Sequence, residues 1–454
     1  MLLVALCLGA AVPALATTAA AQDPPASGED VLGTLVVAPG LSGTGERIYP
    51  KIGVVPSLDA ALEDVTLRAV VRRDLDLCGE FEVIADDQAP DGMYLSDTPV
   101  DVEAWKKKGA EAVVKVHGRR LPSGQVELRS VAFFTDQGDA PVYDHAVTVE
   151  AADPAALRAA SHRAADELIG ALTGTPGGFA SQMTFVYGGG KARRAYVMDA
   201  DGHEPRAVTD YDRVVLAPAF GPAQQLYYAA SIDNGRYKIY GAGSPAPIPL
   251  SQRGSVYGLA FSEARDQVAV SIAVGSDIKL FAGPDLANLT PATDVSYALH
   301  PAFTPSGKLS FSGEGPGGAQ RIHVDGKPIS PVGLNASAPV WCRHPDGVRV
   351  VYGVDSGAGQ DLVASAENGS GLVRLTGGQG SNNYAACSPD GRLVAFFSTR
   401  RGGEGPGLYI MRIDGGRPKR VSTLVGDSLR WARLPQAAPA PAPAPASGEP
   451  LYPP

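Results

Sequence analysis

Few residue patterns in this chain could carry chemistry, and each has a simpler reading. An acyl-transfer nucleophile elbow needs Gly two residues before and two after its Ser, and no Ser here has both. Gly188-Gly189-Gly190-Lys191 has the look of a phosphate loop. Phe185 stands where its first Gly belongs, and Ala192 replaces the Ser or Thr that would meet magnesium, so the run reads as a hairpin loop. Asp199-Ala200-Asp201-Gly202 resembles part of a calcium loop, but Val197 occupies the first ligand position and a turn is expected. The seven His are scattered at 117, 145, 162, 203, 300, 323 and 344, with no pair at metal-binding spacing. No catalytic residue, cofactor or metal is predicted. Carboxylates brought together only by a channel would escape such a search.

The elements that must position any site follow from composition. Gly (54) and Pro (38) make up about one residue in five of 454, against a usual ~12%, which demands many turns and short strands and excludes a helical bundle. With 44% apolar residues the chain can build cores, so global disorder is excluded. The net charge of −9, without a long basic stretch, excludes a nucleic-acid binder. Residues 1–21 form an apolar run interrupted by Pro13 and closed by Ala19-Ala20-Ala21, read as a cleaved, non-lipidated secretory signal although no Lys or Arg precedes it. That places the mature chain outside the cytoplasm without a membrane anchor. Cleavage leaves Cys78, Cys342 and Cys387. No disulfide framework is expected; Cys342 and Cys387 could pair, but buried free thiols are favoured.

After a polar linker (22–30), residues 31–175 alternate between helix and strand patterns. A strand ends at Gly53-Val54-Val55-Pro56. Leu58, Leu62, Val65, Ala69 and Val70 then fall near helical spacing and predict a helix over about 58–76. Strands follow around Val113-Val114-Lys115-Val116, from Val126 to Phe134, and from Val142 to Val149. Asp153-Pro154 opens a second helix as cap and first residue; Leu157, Ala160, Ala164, Leu168 and Leu172 mark its face, and Gly174 stops it.

From residue 183 onward one unit recurs: a small residue or Pro, an aromatic, a Pro-Asp-Gly-like turn, then an apolar strand. Ser388-Pro389-Asp390-Gly391 before Leu393-Val394-Ala395-Phe396 is the clearest copy, and Leu259-Ala260-Phe261-Ser262 a degenerate one. Hairpins such as Asp325-Gly326 and Asp414-Gly415 close the back half of the unit. Residues 183–431 divide into six units of about 41.5 residues, within the ~40–45 of four-stranded propeller blades. The first unit begins midway and the last front half, Ser428-Leu429-Arg430-Trp431, has no back half. The two fragments complement each other, so the final strand is expected to close the ring and remove its edges. The predicted fold is an α+β N-terminal domain followed by an all-β six-bladed β-propeller over 183–434. Residues 435–454, rich in Pro and Ala, are read as an extended tail.

These residues together resemble the TolB family. Tyr49-Pro50-Lys51-Ile52-Gly53-Val54-Val55-Pro56 is similar to its first strand, and Trp105 through Gly109-Ala110-Glu111-Ala112-Val113-Val114 to its next helix–strand step. Leu168 through Leu172-Thr173-Gly174, Gly178-Phe179 and Met183-Thr184-Phe185-Val186 resemble its junction into the propeller. The resemblance implies a periplasmic interaction protein of the Tol–Pal system and not an enzyme. It implies docking of the lipoprotein Pal on one propeller face, and of TolA on the mature N-terminal segment, in the service of outer-membrane integrity and constriction at division. The alternative is a periplasmic propeller that binds or hydrolyses a glycan or peptide.

Residues leading into the innermost strands are the candidates for the Pal face: Ser255, Tyr257, Ser296, Tyr297, Asn335, Asn382, Asn383 and Asp427. Ordinary polar turn chemistry would explain any one of them; as a ring they suit a protein partner. For TolA the candidates are Thr34, Leu35, Val36 and Val37, a β-prone run followed by Gly40, Gly43 and Gly45 that suits a segment bound in one state and released in another.

Overall fold

The computed structural model describes residues 49–150, 153–357 and 359–433. The expected signal, the linker, Thr34, Leu35, Val36 and Val37, and the tail lie outside them.

The N-terminal domain is a five-stranded sheet in the order Glu82–Val83, Lys51–Val54, Ala112–Arg120, Val126–Phe134, Tyr143–Val149. The first three strands are parallel and the rest antiparallel. Side chains alternate across it, as a pleated strand requires. Ile52, Val54, Val114 and Val116 join the core under helices α1 (Leu62–Leu77) and α3 (Pro154–Thr173), while Val55 and Val113 meet Trp105 of the short helix α2 (Val102–Lys107) on the other face. Trp105 lies so close to Gly53 that a Cβ there would stand 2.3 Å from its ring, which explains why this strand carries Gly at that step. Helix α3 follows its sequence signals. Asp153 accepts the Ala156 amide, Pro154 is the first residue, and Gly174 ends the helix at φ 82°.

Helix α1 corrects its expectation twice. It starts at Leu62, because the Ser57 hydroxyl accepts the Asp59 amide and Asp59 accepts the Ala61 amide, holding residues 57–61 in local turns. Its buried face is also different. Leu58, Leu62 and Val65 are exposed, and Leu67, Val70, Val71 and Leu75 are buried. The acids Glu63 and Asp64 turn inward instead: Asp64 accepts the Gly118 amide and the Ser57 hydroxyl, and Glu63 meets Arg120.

Six sheets form the propeller, and the strand Asp427–Arg433 closes it by pairing with Ser181–Tyr187, with Trp431 opposite Met183. Blade one is therefore built from both ends of the ring. Blades three to six have four strands each, whereas blade two has three, Arg213–Phe220, Leu226–Ile232 and Lys238–Gly241. Its fourth strand is missing because Pro245, Pro247 and Pro249 remove alternate amide donors from the segment that would form it.

Cys342 and Cys387 are disulfide-bonded, with Cα atoms 5.4 Å apart, which corrects the expectation of free thiols; Cys78 is free and buried. The two come together because both lie near the ends of adjacent innermost strands, of blades five and six. Their separation of 45 residues in sequence corresponds to about 4 kcal/mol of unfolded-state entropy. Reduction, or Cys342→Ala with Cys387→Ala, should lower the melting temperature by several degrees; an unchanged melting curve would show that the bridge contributes nothing.

The two domains share one core. Leu168, Ile169 and Phe179 pack with Met183, Phe185, Leu393 and Ile410. Charged contacts rim it. Arg392 reaches Asp390, Glu80, Thr173 and the Thr175 and Pro176 carbonyls; Arg412 pairs with Glu80 and Asp414; Lys419 pairs with Asp76. The linker is fixed by Asp166, whose carboxylate accepts the Phe179 and Ala180 amides at 2.8 Å. Asp199 and Asp201 of blade one, expected to form only a turn, pair with Arg158 of α3 at 3.1 and 2.7 Å.

Candidate functional site

The innermost strands are Arg213–Phe220, Ser255–Phe261, Leu299–Phe303, Ala336–His344, Asn382–Cys387 and Asp427–Arg433, each in contact with the next around a central channel. Every one of them shifts register against its neighbour in the blade. At five of these shifts a non-glycine residue takes a left-handed backbone: Ala217, His300, Ala338, Tyr384 and Ser428, with φ between 45° and 56°. Such residues are costly singly, by on the order of 1 kcal/mol. Their recurrence marks a bulge that bends each strand at the channel.

The bulges surround a cavity of about 240 Å³ lined by residues of all six innermost strands, among them Tyr257, His300, Tyr384, Asp427 and Arg430, with Arg193 at its edge. Arg193 and Asp427 pair at 2.8 and 2.9 Å. His300 donates or accepts a hydrogen bond with Ser312 at 2.8 Å; burial, and then the Arg430 charge, hold its imidazole down at about 4, so it is neutral at neutral pH. Burial within the channel lowers Arg430 to about 10.

Of the eight residues expected on this face, Tyr257 and Asp427 line the cavity. The others mostly hold neighbouring blades together. Ser255 accepts the Tyr237 amide, the Tyr297 amide binds Asp277, Ser296 bonds the same carboxylate, and Asn335 accepts the Gln320 amide while donating to Asp355. Asn383 donates to Gln360 at 3.3 Å. Asn382 is a correction. It is fully buried, its amide held by Asp361 and Ser398, so it shapes its loop from within and offers no surface. Polar turn chemistry thus accounts for much of the set, and the tyrosines remain as surface. Tyr257 and Tyr297 are 42% and 48% exposed, joined at the same end of the strands by Tyr211 (81%) and Tyr187 (37%). Arg194 stacks 3.7 Å above the Tyr211 ring. Tyr187, Tyr211, His300, Tyr384 and Arg430 were not singled out from sequence. His300 and Tyr384 share a positional signal, three residues before Phe303 and Cys387; Tyr187, Tyr211 and Arg430 have no such common offset. The N-terminal domain binds the blades at their opposite, turn-bearing ends, through Arg392, Arg412 and the Asp199-Ala200-Asp201 turn, so among the described residues it leaves this mouth uncovered.

A second cluster lies at the domain junction. Asp74, His162 and Asp201 bring side-chain ligand atoms within 4.8 Å of one another. Its charges are already matched: His162 meets Asp74 at 2.7 Å, and Arg158 holds Asp201 and Asp199. A cation there would compete with the Arg158 guanidinium. Burial works against the imidazolium, but Asp74, Asp201 and Asp199 outweigh it and raise His162 to about 9.

An α/β domain locked to a closed six-bladed propeller with a polar, tyrosine-bearing mouth defines the class. Residues 44–135 match the family model of the TolB amino-terminal domain. Proteins named Tol-Pal system protein TolB match as well: that of Thiobacillus denitrificans is 32% identical over 173 residues, 38% of this chain and 39% of that protein, and that of Bordetella parapertussis 28% identical over 204 residues, 44% of each. The matched part of the chain spans about two fifths of the length of these curated relatives. The fold matches the crystal structure of TolB from Acinetobacter baumannii with a TM-score of 0.67 at 20% identity, over 85% of this chain and 97% of that one. Over these stretches the chain is similar to TolB. Among the described residues no helix is long and apolar enough to cross a membrane.

Proposed function

We propose that this chain is a periplasmic protein-interaction component of the Tol–Pal system that docks the lipoprotein Pal at the open propeller mouth and TolA through residues around Thr34, Leu35, Val36 and Val37, serving outer-membrane integrity and constriction at division. The observation that carries the reading is the union of a TolB amino-terminal domain with a propeller mouth rimmed by exposed tyrosines. Aromatic side chains are enriched at protein interfaces and give a large contact area at small entropic cost. The competing reading, a propeller that hydrolyses a glycan or peptide, needs a poised acid and base. The mouth's one carboxylate among the cavity's described lining, Asp427, is held by Arg193.

Calorimetric titration with the soluble domain of Pal is the test. Tyr257→Ala and Tyr297→Ala should each weaken binding by more than about 1 kcal/mol, as interface aromatics do, without lowering the melting temperature. No heat of binding with the native chain would remove the proposal. Deleting residues 31–45 should abolish TolA binding and change Pal affinity by a modest factor, since coupling between two sites is typically ~1–3 kcal/mol. Native TolA affinity in that deletion would eliminate the segment as the docking site.

A further inference from the structure

The register of the six innermost strands makes their positions comparable. Phe220, Phe303, Trp341, Cys387 and Trp431 each stand three residues after the left-handed residue of their strand, and Phe261 three after Gly258 at the register shift of blade three. The residue before this anchor is Ala219, Ala260, Ala302, Val340 and Ala386 in five blades, and Arg430 in the sixth. A position that the repeat fills with a small apolar side chain carries a guanidinium in blade one. Arg430 lines the mouth cavity, and its recorded hydrogen bond runs from Nη1 to the Leu429 carbonyl at 2.9 Å. No ion pair with a carboxylate is recorded for it among the described residues, whereas Arg193 beside it is matched by Asp427. A partly desolvated charge without a partner destabilises the fold, and the repeat shows that the fold does not need it.

We infer that Arg430 receives a carboxylate side chain that the docked protein partner inserts into the channel mouth. The inference rests on the proposed Pal docking and specifies its chemistry. The cavity, about 240 Å³, admits an Asp or Glu side chain. The guanidinium offers the planar, bidentate geometry that suits a carboxylate. Tyr257, Tyr384 and Ser428 line the same space and enclose the pair, which strengthens it over a surface contact. In a chain of net charge −9, a cationic spot at the bottom of the mouth also discriminates among partners, because an acidic side chain offered elsewhere is repelled. His300, beside Arg430, gives the site its own reporter. Arg430 now depresses the imidazole, and a bound carboxylate would cancel that effect.

Two measurements on the full chain decide the matter. Arg430→Ala restores the residue that the repeat uses, so its melting temperature should equal or exceed that of the native chain. Its affinity for the soluble domain of Pal should fall at least about 30-fold, the lower end for losing one partner of a buried charge pair. In the second, histidine NMR of the native chain follows the His300 titration with the N-acetyl, C-methylamide derivatives of glutamate or glutamine, which differ only in the side-chain carboxylate. The midpoint should move upward with the acid and not with the amide. Absence of any shift at His300 overturns the carboxylate site. A shift combined with native Pal affinity in Arg430→Ala assigns the site to free anions and overturns the partner-derived carboxylate. If the native chain fails to bind Pal while His300 shifts, the Pal reading falls and the carboxylate site stands.

Discussion

A chain ending at Gly426 should lose cooperative unfolding and aggregate. Of the 28 residues it lacks, the seven from Asp427 to Arg433 are the innermost strand of blade one. Leu429, fully buried, leaves the shared core, and Trp431, whose indole N–H donates to Ser181 at 2.7 Å, leaves the sheet. Large-to-small changes at such positions cost about 2–5 kcal/mol each, and together they approach the 5–15 kcal/mol of a whole domain. The loss is compounded by topology. Ser181–Tyr187 becomes a bare edge facing the channel, and Arg193 loses Asp427. Calorimetry and light scattering against the native chain give the result; Trp431→Ala alone should show a smaller, still cooperative loss of about 2–3 kcal/mol, because the ring is partly exposed. A truncated chain that melts as the native one does would mean that closure contributes no stability.

The ring was legible in sequence because its turns are chemically specific. Pro-Asp-Gly and Asp-Gly fix strand ends, and counting between them gives six units. Blade two resisted, because its prolines erase a strand that the count assumes. The N-terminal domain was legible where caps and glycines are decisive, as in α3, and misread where polar residues turn inward, as in α1 with Glu63 and Asp64. The disulfide is hard to read from sequence because 45 residues separate two cysteines that only the ring brings together. The mouth was legible as a location and much less as a surface. Offsets from the anchors find the loops, but they do not say that Asn382 points inward or that Arg430 replaces an alanine facing a cavity. The same holds for the junction: Asp74 and His162 stand 88 residues apart, and nothing local to either marks them as a pair.

That pair carries the second large effect. His162→Leu should destabilise the chain by about 3–5 kcal/mol, because Asp74 is fully buried and its one recorded ion-pair partner is the imidazole. The second oxygen of Asp74, Oδ1, already lacks a hydrogen-bond partner among the described residues, so little else can absorb the charge. Asp74→Leu combined with His162→Leu should recover most of the loss, since removing both charges leaves apolar side chains where the pair stood. The pH dependence separates a charge effect from a packing one. Folding raises His162 from 6.5 to about 9, so its contribution is fully present below pH 6.5 and is lost as pH rises through about 9. The native chain should therefore lose stability across that interval, and His162→Leu should lack that step. In the single variant Asp74 remains, pushed upward by burial and no longer held down by the imidazole, so the variant should gain stability as pH falls. Denaturant unfolding between pH 5 and 9.5 on the three chains measures all of this. Parallel pH profiles for the native chain and His162→Leu would show that the imidazole is neutral in the fold and adds no charge to the junction.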